Sequence, residues 1–120
     1  MIKHRIINDT VLVINNIKEI NFNHNINKVI ENNGLLILHI FDCFEKKGSI
    51  NMSEQPINNI YAVSEKGDIV WNIRDIMQED YCYTGISIDD KGNLIANTFI
   101  GIAQIIDVTN KKLIGRKVTK

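Results

Sequence analysis

Cys43, Cys82 and the histidines are the residues of this 120-residue chain best suited to covalent or metal chemistry. Cys43 lies four positions after His39, and Cys82 sits between Tyr81 and Tyr83. A strand places residues four apart on one face without making them a catalytic dyad. A hydrolase built on Cys43 or Cys82 would need a thiol pKa well below its usual value. His24, His39, Cys43 and Cys82 are zinc-ligand types, yet they follow no C-x2-C or H-x3-H spacing. Ser49, Ser53, Ser64 and Ser87 stand in no Gly-x-Ser-x-Gly context. These positions read as packed or exposed side chains, and no metal, cofactor or enzymatic activity is expected.

The carboxylates carry a different signal. Neighbours such as Glu79-Asp80 and Asp89-Asp90 point apart on a strand or turn, so they do not face each other across a cleft. Asp89-Asp90-Lys91-Gly92-Asn93 lacks the D-x-D-x-D-G periodicity and closing Glu of a calcium loop, and suits a turn. Between residues 75 and 90, however, Asp75, Glu79, Asp80, Asp89 and Asp90 occur with no basic residue, interleaved with Tyr81 and Tyr83. A solvated loop explains such a stretch. Its functional reading is an anionic, aromatic-bearing patch for a basic surface such as a nuclease groove, where charge steers encounter and a rigid ring supplies contact area. Those seven residues are the candidate partner-binding set. Trp71, between Val70 and Ile73, reads instead as a core anchor. The last ten residues hold Lys111, Lys112, Arg116, Lys117 and Lys120 and no acid.

Positioning these residues falls to short strands. Segments 2–7 and 10–15 flank Asn8-Asp9, and 17–22 alternates loosely. Phe22, Ile26, Val29 and Ile30 fit helical spacing, but the intervening asparagines are poor helix formers. Asn33-Gly34 is a strong hairpin signal ahead of Leu35-Leu36-Ile37-Leu38-His39-Ile40-Phe41, so 26–31 and 35–42 are predicted to pair. That apolar run predicts burial on both faces. Residues 43–57, with Lys46-Lys47-Gly48 and Pro56, form the predicted loop. Beyond Asn59 three hairpins follow, with polar turns at 65–68, 89–93 and 109–111, repeating at roughly 20–25 residues. A helical turn is allowed in 73–80. The expected fold is mainly β: one domain over 1–120, an antiparallel β meander forming an open sheet or small sandwich of hairpins, with at most one short helix. The hairpins resemble propeller blades, but the chain has strands for about two blades and a closed propeller needs four.

Composition agrees with a compact domain. The chain holds 24 isoleucines, whose β-branching favours a pleated, half-buried surface. Its 16 asparagines fit an AT-rich coding sequence, and their runs are assigned no function. Fourteen basic and fourteen acidic residues cancel, which disfavours nucleic-acid and membrane-surface binding. No apolar run reaches membrane-spanning length, no signal peptide is expected, and two cysteines are too few for a disulfide scaffold. A cytoplasmic location is expected.

The second half carries a resemblance. Asn59-Ile60-Tyr61-Ala62-Val63, then Gly67, Ile69-Val70-Trp71 and Ile73, begin it. Tyr83-Thr84-Gly85-Ile86, Asp90-x-Gly92-x-Leu94-x-Ala96, Gly101, Asp107 and a terminal Thr119-Lys120 continue it. Residues 59–120 thereby resemble small immunity proteins of bacterial polymorphic-toxin and contact-dependent growth-inhibition systems. Asn110-Lys111 stands where a Gly-bearing turn is usual there, and the aromatics expected before Gly101 are reduced to Phe99. The resemblance implies a 1:1 complex with a cognate toxin domain, often a nuclease, whose active site is occluded. Toxin contacts vary widely in that group, so it assigns no site residue. The competing expectation is a propeller-like ligand-binding or scaffold module, which predicts an apolar pocket with convergent polar groups.

Overall fold

A computed structural model of the chain describes residues 2–42 and 55–118. Among these described residues eleven strands and one helical turn are formed, and every strand pairing is antiparallel between sequence neighbours. Sheet 1 is β1 (His4–Ile7), β2 (Val11–Ile14) and β3 (Lys18–Asn21). Sheet 2 is β4 (Ile26–Asn32), β5 (Leu35–Ile40), β6 (Ile60–Ser64) and β7 (Ile69–Asn72). After α1 (Arg74–Met77), sheet 3 contains β8 (Tyr83–Ile88), β9 (Leu94–Thr98), β10 (Ile102–Asp107) and β11 (Lys112–Val118). The mainly β meander expected from the sequence is present. Its strands make three sheets rather than about two blades, because the N-terminal hairpins form a sheet of their own.

Asparagine makes many of the turns. Of the nine non-glycine residues at positive φ among the described residues, six are asparagine. Asn33 and Gly34 (φ 51° and 77°) form the two-residue loop between paired Asn32 and Leu35. Positive φ at both positions matches the twist of the flanking strands. Asn8-Asp9 and Asn15-Asn16 also take positive φ in pairs, within three-residue loops closed by Thr10 N–H to Ile7 O at 3.3 Å and Ile17 N–H to Ile14 O at 3.1 Å. Asparagine tolerates this conformation better than other non-glycine residues.

Sheet 2 lies between the other two. On β5, Leu36, Leu38 and Ile40 point toward Leu12 and Ile14 of sheet 1. The alternate residue Ile37 joins Ala62, Trp71, Ile86, Leu94 and Ile106 in the core shared with sheet 3. The continuous apolar run of β5 is thus explained by two buried faces. Each fully buried Leu or Ile contributes about 1.5–3 kcal/mol.

The connections sort to two ends. The β2–β3, β4–β5, β6–β7, β8–β9 and β10–β11 turns share one end. There Asn15 Nδ2 donates to Glu65 O at 2.8 Å, Asn32 Nδ2 to Gly92 O at 3.3 Å and Asn33 Nδ2 to Thr109 Oγ1 at 3.1 Å. The opposite end holds α1 and the β9–β10 turn. No helix among the described residues is long and apolar enough to cross a membrane.

Candidate functional site

The sequence set 75–90 starts at α1 and runs along β8 to the far end. Asn72 sets up the helical turn: its Oδ1 accepts Arg74 N–H at 3.0 Å, while Asp75 Oδ2 accepts Asn72 N–H at 3.0 Å. The helix stops at Gln78, which takes the left-handed conformation (φ 62°). Glu79, Asp80 and Tyr81 therefore emerge together at the α1 end, the two acids exposed and the ring half-buried.

These acids have cationic neighbours. Asp80 Oδ1 accepts Arg74 Nε at 2.8 Å and Asn58 Nδ2 at 2.9 Å. The Asn58 amide, and then the Arg74 guanidinium, hold its carboxyl below the usual range. Arg116 Nη2 on β11 lies 3.7 Å from Glu79 Oε1, and Tyr81 Oη donates to Glu79 Oε2 at 3.0 Å. That bond to Glu79, with some burial, pushes the Tyr81 hydroxyl up. The net anionic field of this end is smaller than the sequence run suggests.

Tyr83 does not reach the surface. It is fully buried in the core between sheets 2 and 3, so it makes no direct contact with a docked partner. Burial raises its phenol pKa. Asp89 and Asp90 lie beyond β8 at the opposite end of sheet 3, separated from Asp80 by a six-residue strand of about 20 Å. Asp89 Oδ1 accepts the backbone N–H groups of Asn93 (2.8 Å) and Lys91 (2.9 Å), which hold its carboxyl low. Of the seven sequence candidates, Asp75, Glu79, Asp80 and Tyr81 share one surface. Asp89 and Asp90 occupy another, and Tyr83 belongs to neither.

Two residues outside that set complete the α1 end. Phe99 and Ile100 occupy the β9–β10 turn with relative exposures of 59% and 55%. Thr98 braces this turn: its Oγ1 donates to Ile102 O at 2.7 Å and receives Ile102 N–H at 3.2 Å. Phe99 N–H donates to Cys82 O at 3.1 Å, and Asn58 N–H donates to Tyr81 O at 2.7 Å. The turn is thereby tied to the segment bearing Glu79, Asp80 and Tyr81. Two exposed apolar side chains on a fixed turn, beside a ring and charged groups, have the make-up of a protein-contact surface. Phe99 and Ile100 fall outside a search for charge runs, although Phe99 stands before Gly101 in the immunity-protein resemblance.

The family described as Domain of unknown function (DUF7957) matches over residues 2–118. The chain belongs to this family. No curated protein and no solved structure matches it.

Within this DUF7957 domain the potential nucleophiles and ligands are dispersed. His39 is fully buried; its Nε2 donates to Tyr83 O at 2.7 Å and its Nδ1 accepts Asn27 Nδ2 at 3.0 Å. Both ring nitrogens are engaged, which fixes the neutral Nε2–H tautomer, and burial lowers its pKa. His24 Nδ1 pairs with Asp42 Oδ2 at 2.6 Å. Burial raises the Cys82 thiol pKa, opposite to the need of a nucleophile. Cys43 and most of the predicted 43–57 loop lie outside the described residues. Among those described, no three His, Cys, Asp or Glu side chains are arranged to hold a metal ion. Trp71 is a core residue, 3% exposed.

Proposed function

We propose that this domain is an immunity protein that binds a cognate toxin domain, a nuclease, in a 1:1 complex and occludes its active site. Its action is stoichiometric rather than enzymatic, and its place of action is the cytoplasm. The observation carrying the reading is the pair Phe99 and Ile100, exposed on a braced turn beside Glu79, Asp80 and Tyr81. The resemblance of residues 59–120 to immunity proteins supplies the partner class. In this reading Phe99 and Ile100 enter the toxin cleft while Glu79 and Asp80 approach its basic rim.

The test is co-expression with the C-terminal domain of a toxin encoded beside it. Survival of the cells, together with a purified 1:1 complex, is the expected outcome. Continued killing with no complex would sink the proposal.

The three stacked meander sheets favour a second reading, a blade-like ligand-binding or scaffold module. Among the described residues, a depression lined by Asp9, Asn25, Ile26, Asn27 and Phe41 measures about 150 Å³. Small-molecule sites usually span about 300–1,000 Å³.

A further inference from the structure

We propose that the outer face of sheet 3 is a contact surface between two copies of this chain. Ile86, Leu94, Ala96 and Ile106 take the inner face, against sheet 2. Strand alternation leaves the residues between them on the other side. Registered pairing aligns these in two rows across β8, β9, β10 and β11. One row reads Ser87, Ile95, Ile105, Gly115, and the next Gly85, Asn97, Ala103, Lys117. Ile95 and Ile105 lie half-buried at the centre of this face, Ala103 is fully buried, and charge enters at Lys117 and at the Asp107–Lys112 pair nearer the β10–β11 turn. Gly115 adds no side chain beside Ile105, where a Cβ would meet Ile105 Cδ1 at 3.5 Å.

Sheet 1, at the other end of the stack, is finished differently. Its outer row is Arg5, Val13, Glu19, and Val13 is only 2% exposed between the two long charged neighbours. Charged side chains shield that face with their own stems. Sheet 3 lacks this shielding over Ile95 and Ile105.

Charge at the rim selects a second copy as the occupant. At one end of sheet 3, Asp89 and Asp90 mark the β8 edge, while Lys111 and Lys112 mark the β11 edge. A two-fold axis parallel to the strands exchanges the two edges and keeps the ends together. It sets Ile95 against Ile105 of the second copy, Ser87 against its Gly115, and Asp89-Asp90 against its Lys111-Lys112. Each contact occurs twice, as an isologous interface requires. Four strands about 4.8 Å apart and about 20 Å long give a footprint near 400 Å². That is below the roughly 800 Å² per partner of a standard stable interface, so the dimer is a weak, transient one. This inference is independent of the proposed function, since the α1 end remains open in the dimer.

Sedimentation velocity of the full chain from micromolar to millimolar concentration tests it. A monomer–dimer equilibrium is expected, about tenfold weaker for Lys112→Glu, which loses two exposed ion pairs and gains two repulsions. Ile105→Arg should be monomeric with an unchanged circular dichroism spectrum. Should that variant fail to fold, Lys112→Glu, a surface change, carries the test alone. A wild-type chain that stays monomeric, or a dimer indifferent to Lys112→Glu, would overturn the proposal. Loss of the dimer with toxin binding intact leaves the two readings separate.

Discussion

The side chain of Asn59 pairs with the backbone of Tyr83 as a neighbouring strand would. Asn59 Oδ1 accepts Tyr83 N–H at 2.8 Å, and Asn59 Nδ2 donates to Tyr83 O at 2.8 Å and to Ile40 O at 2.8 Å. Because Tyr83 opens β8 and Asn59 precedes β6, one carboxamide joins sheets 2 and 3 where no backbone ladder does. Gln55 uses the same device on Asp42, accepting its N–H and donating to its carbonyl, both at 2.8 Å. Replacing Asn59 with Ala leaves a buried N–H without a partner, and an unmet group of this kind costs about 1–3 kcal/mol. Asn59→Ala should lose about 2–4 kcal/mol in urea unfolding, beyond the single-bond figure because two carbonyls are also affected. A loss under about 0.5 kcal/mol would mean that water replaces the amide without penalty.

His39 shares the Tyr83 carbonyl with Asn59 and is held neutral by burial, with the nearby Lys28 charge acting in the same direction. Its folded pKa lies below the unfolded value of about 6.5, so the unfolded chain binds more protons as pH falls through that region. Stability should therefore be constant above pH about 7.5 and decline below about 6.5, by at most about 1.4 kcal/mol per pH unit. Chemical denaturation at pH 8, 6.5 and 5.5 measures this slope. Replacement of His39 by Gln, which also donates and accepts, should flatten it. A wild-type midpoint that does not move would show that His39 gains a proton without cost.

The legible parts of the fold were those encoded locally. Asn33-Gly34 and the uninterrupted run after it announced the β4–β5 hairpin, and Gly67 and Gly92 marked two later turns. Asn15-Asn16 was harder, because asparagine is so common here that composition alone explains each copy; only φ separates those that build turns. The candidate surface was legible in half. Asp75, Glu79, Asp80 and Tyr81 are neighbours in sequence and in space. The inward direction of Tyr83, however, depends on where β8 begins, and the pairing of Glu79 with Arg116 spans 37 positions. Neither follows from a local charge count. Phe99 and Ile100 stand out only once the turn bearing them is known to face solvent.

Lys111 is a misfit by local propensity. It holds φ 55° in the β10–β11 turn, where a side chain strains the backbone and glycine does not. Lys111→Gly should raise stability by about 0.5–1 kcal/mol, the strain relieved less the extra entropy of an unfolded glycine. A thermal melt of the variant against the parent checks it. A decrease would indicate that the Lys111 side chain contributes more than its backbone costs.

The proposed toxin contact separates into an apolar and an electrostatic part, and kinetics distinguish them. Phe99→Ala removes a ring 59% exposed in the free domain, so folding stability should hardly change. Its loss should weaken toxin binding by about 2 kcal/mol or more, mainly through faster dissociation. Glu79→Lys with Asp80→Lys should instead slow association and reduce its dependence on salt. Asp80 also holds Arg74 and Asn58, so Asp80→Asn, which removes charge while keeping an acceptor, is the control for local rearrangement. If the lysine pair left the association rate untouched while Phe99→Ala still sped dissociation, the contact would be apolar and the acids bystanders. Unchanged rates in both variants would move the contact away from the α1 end altogether.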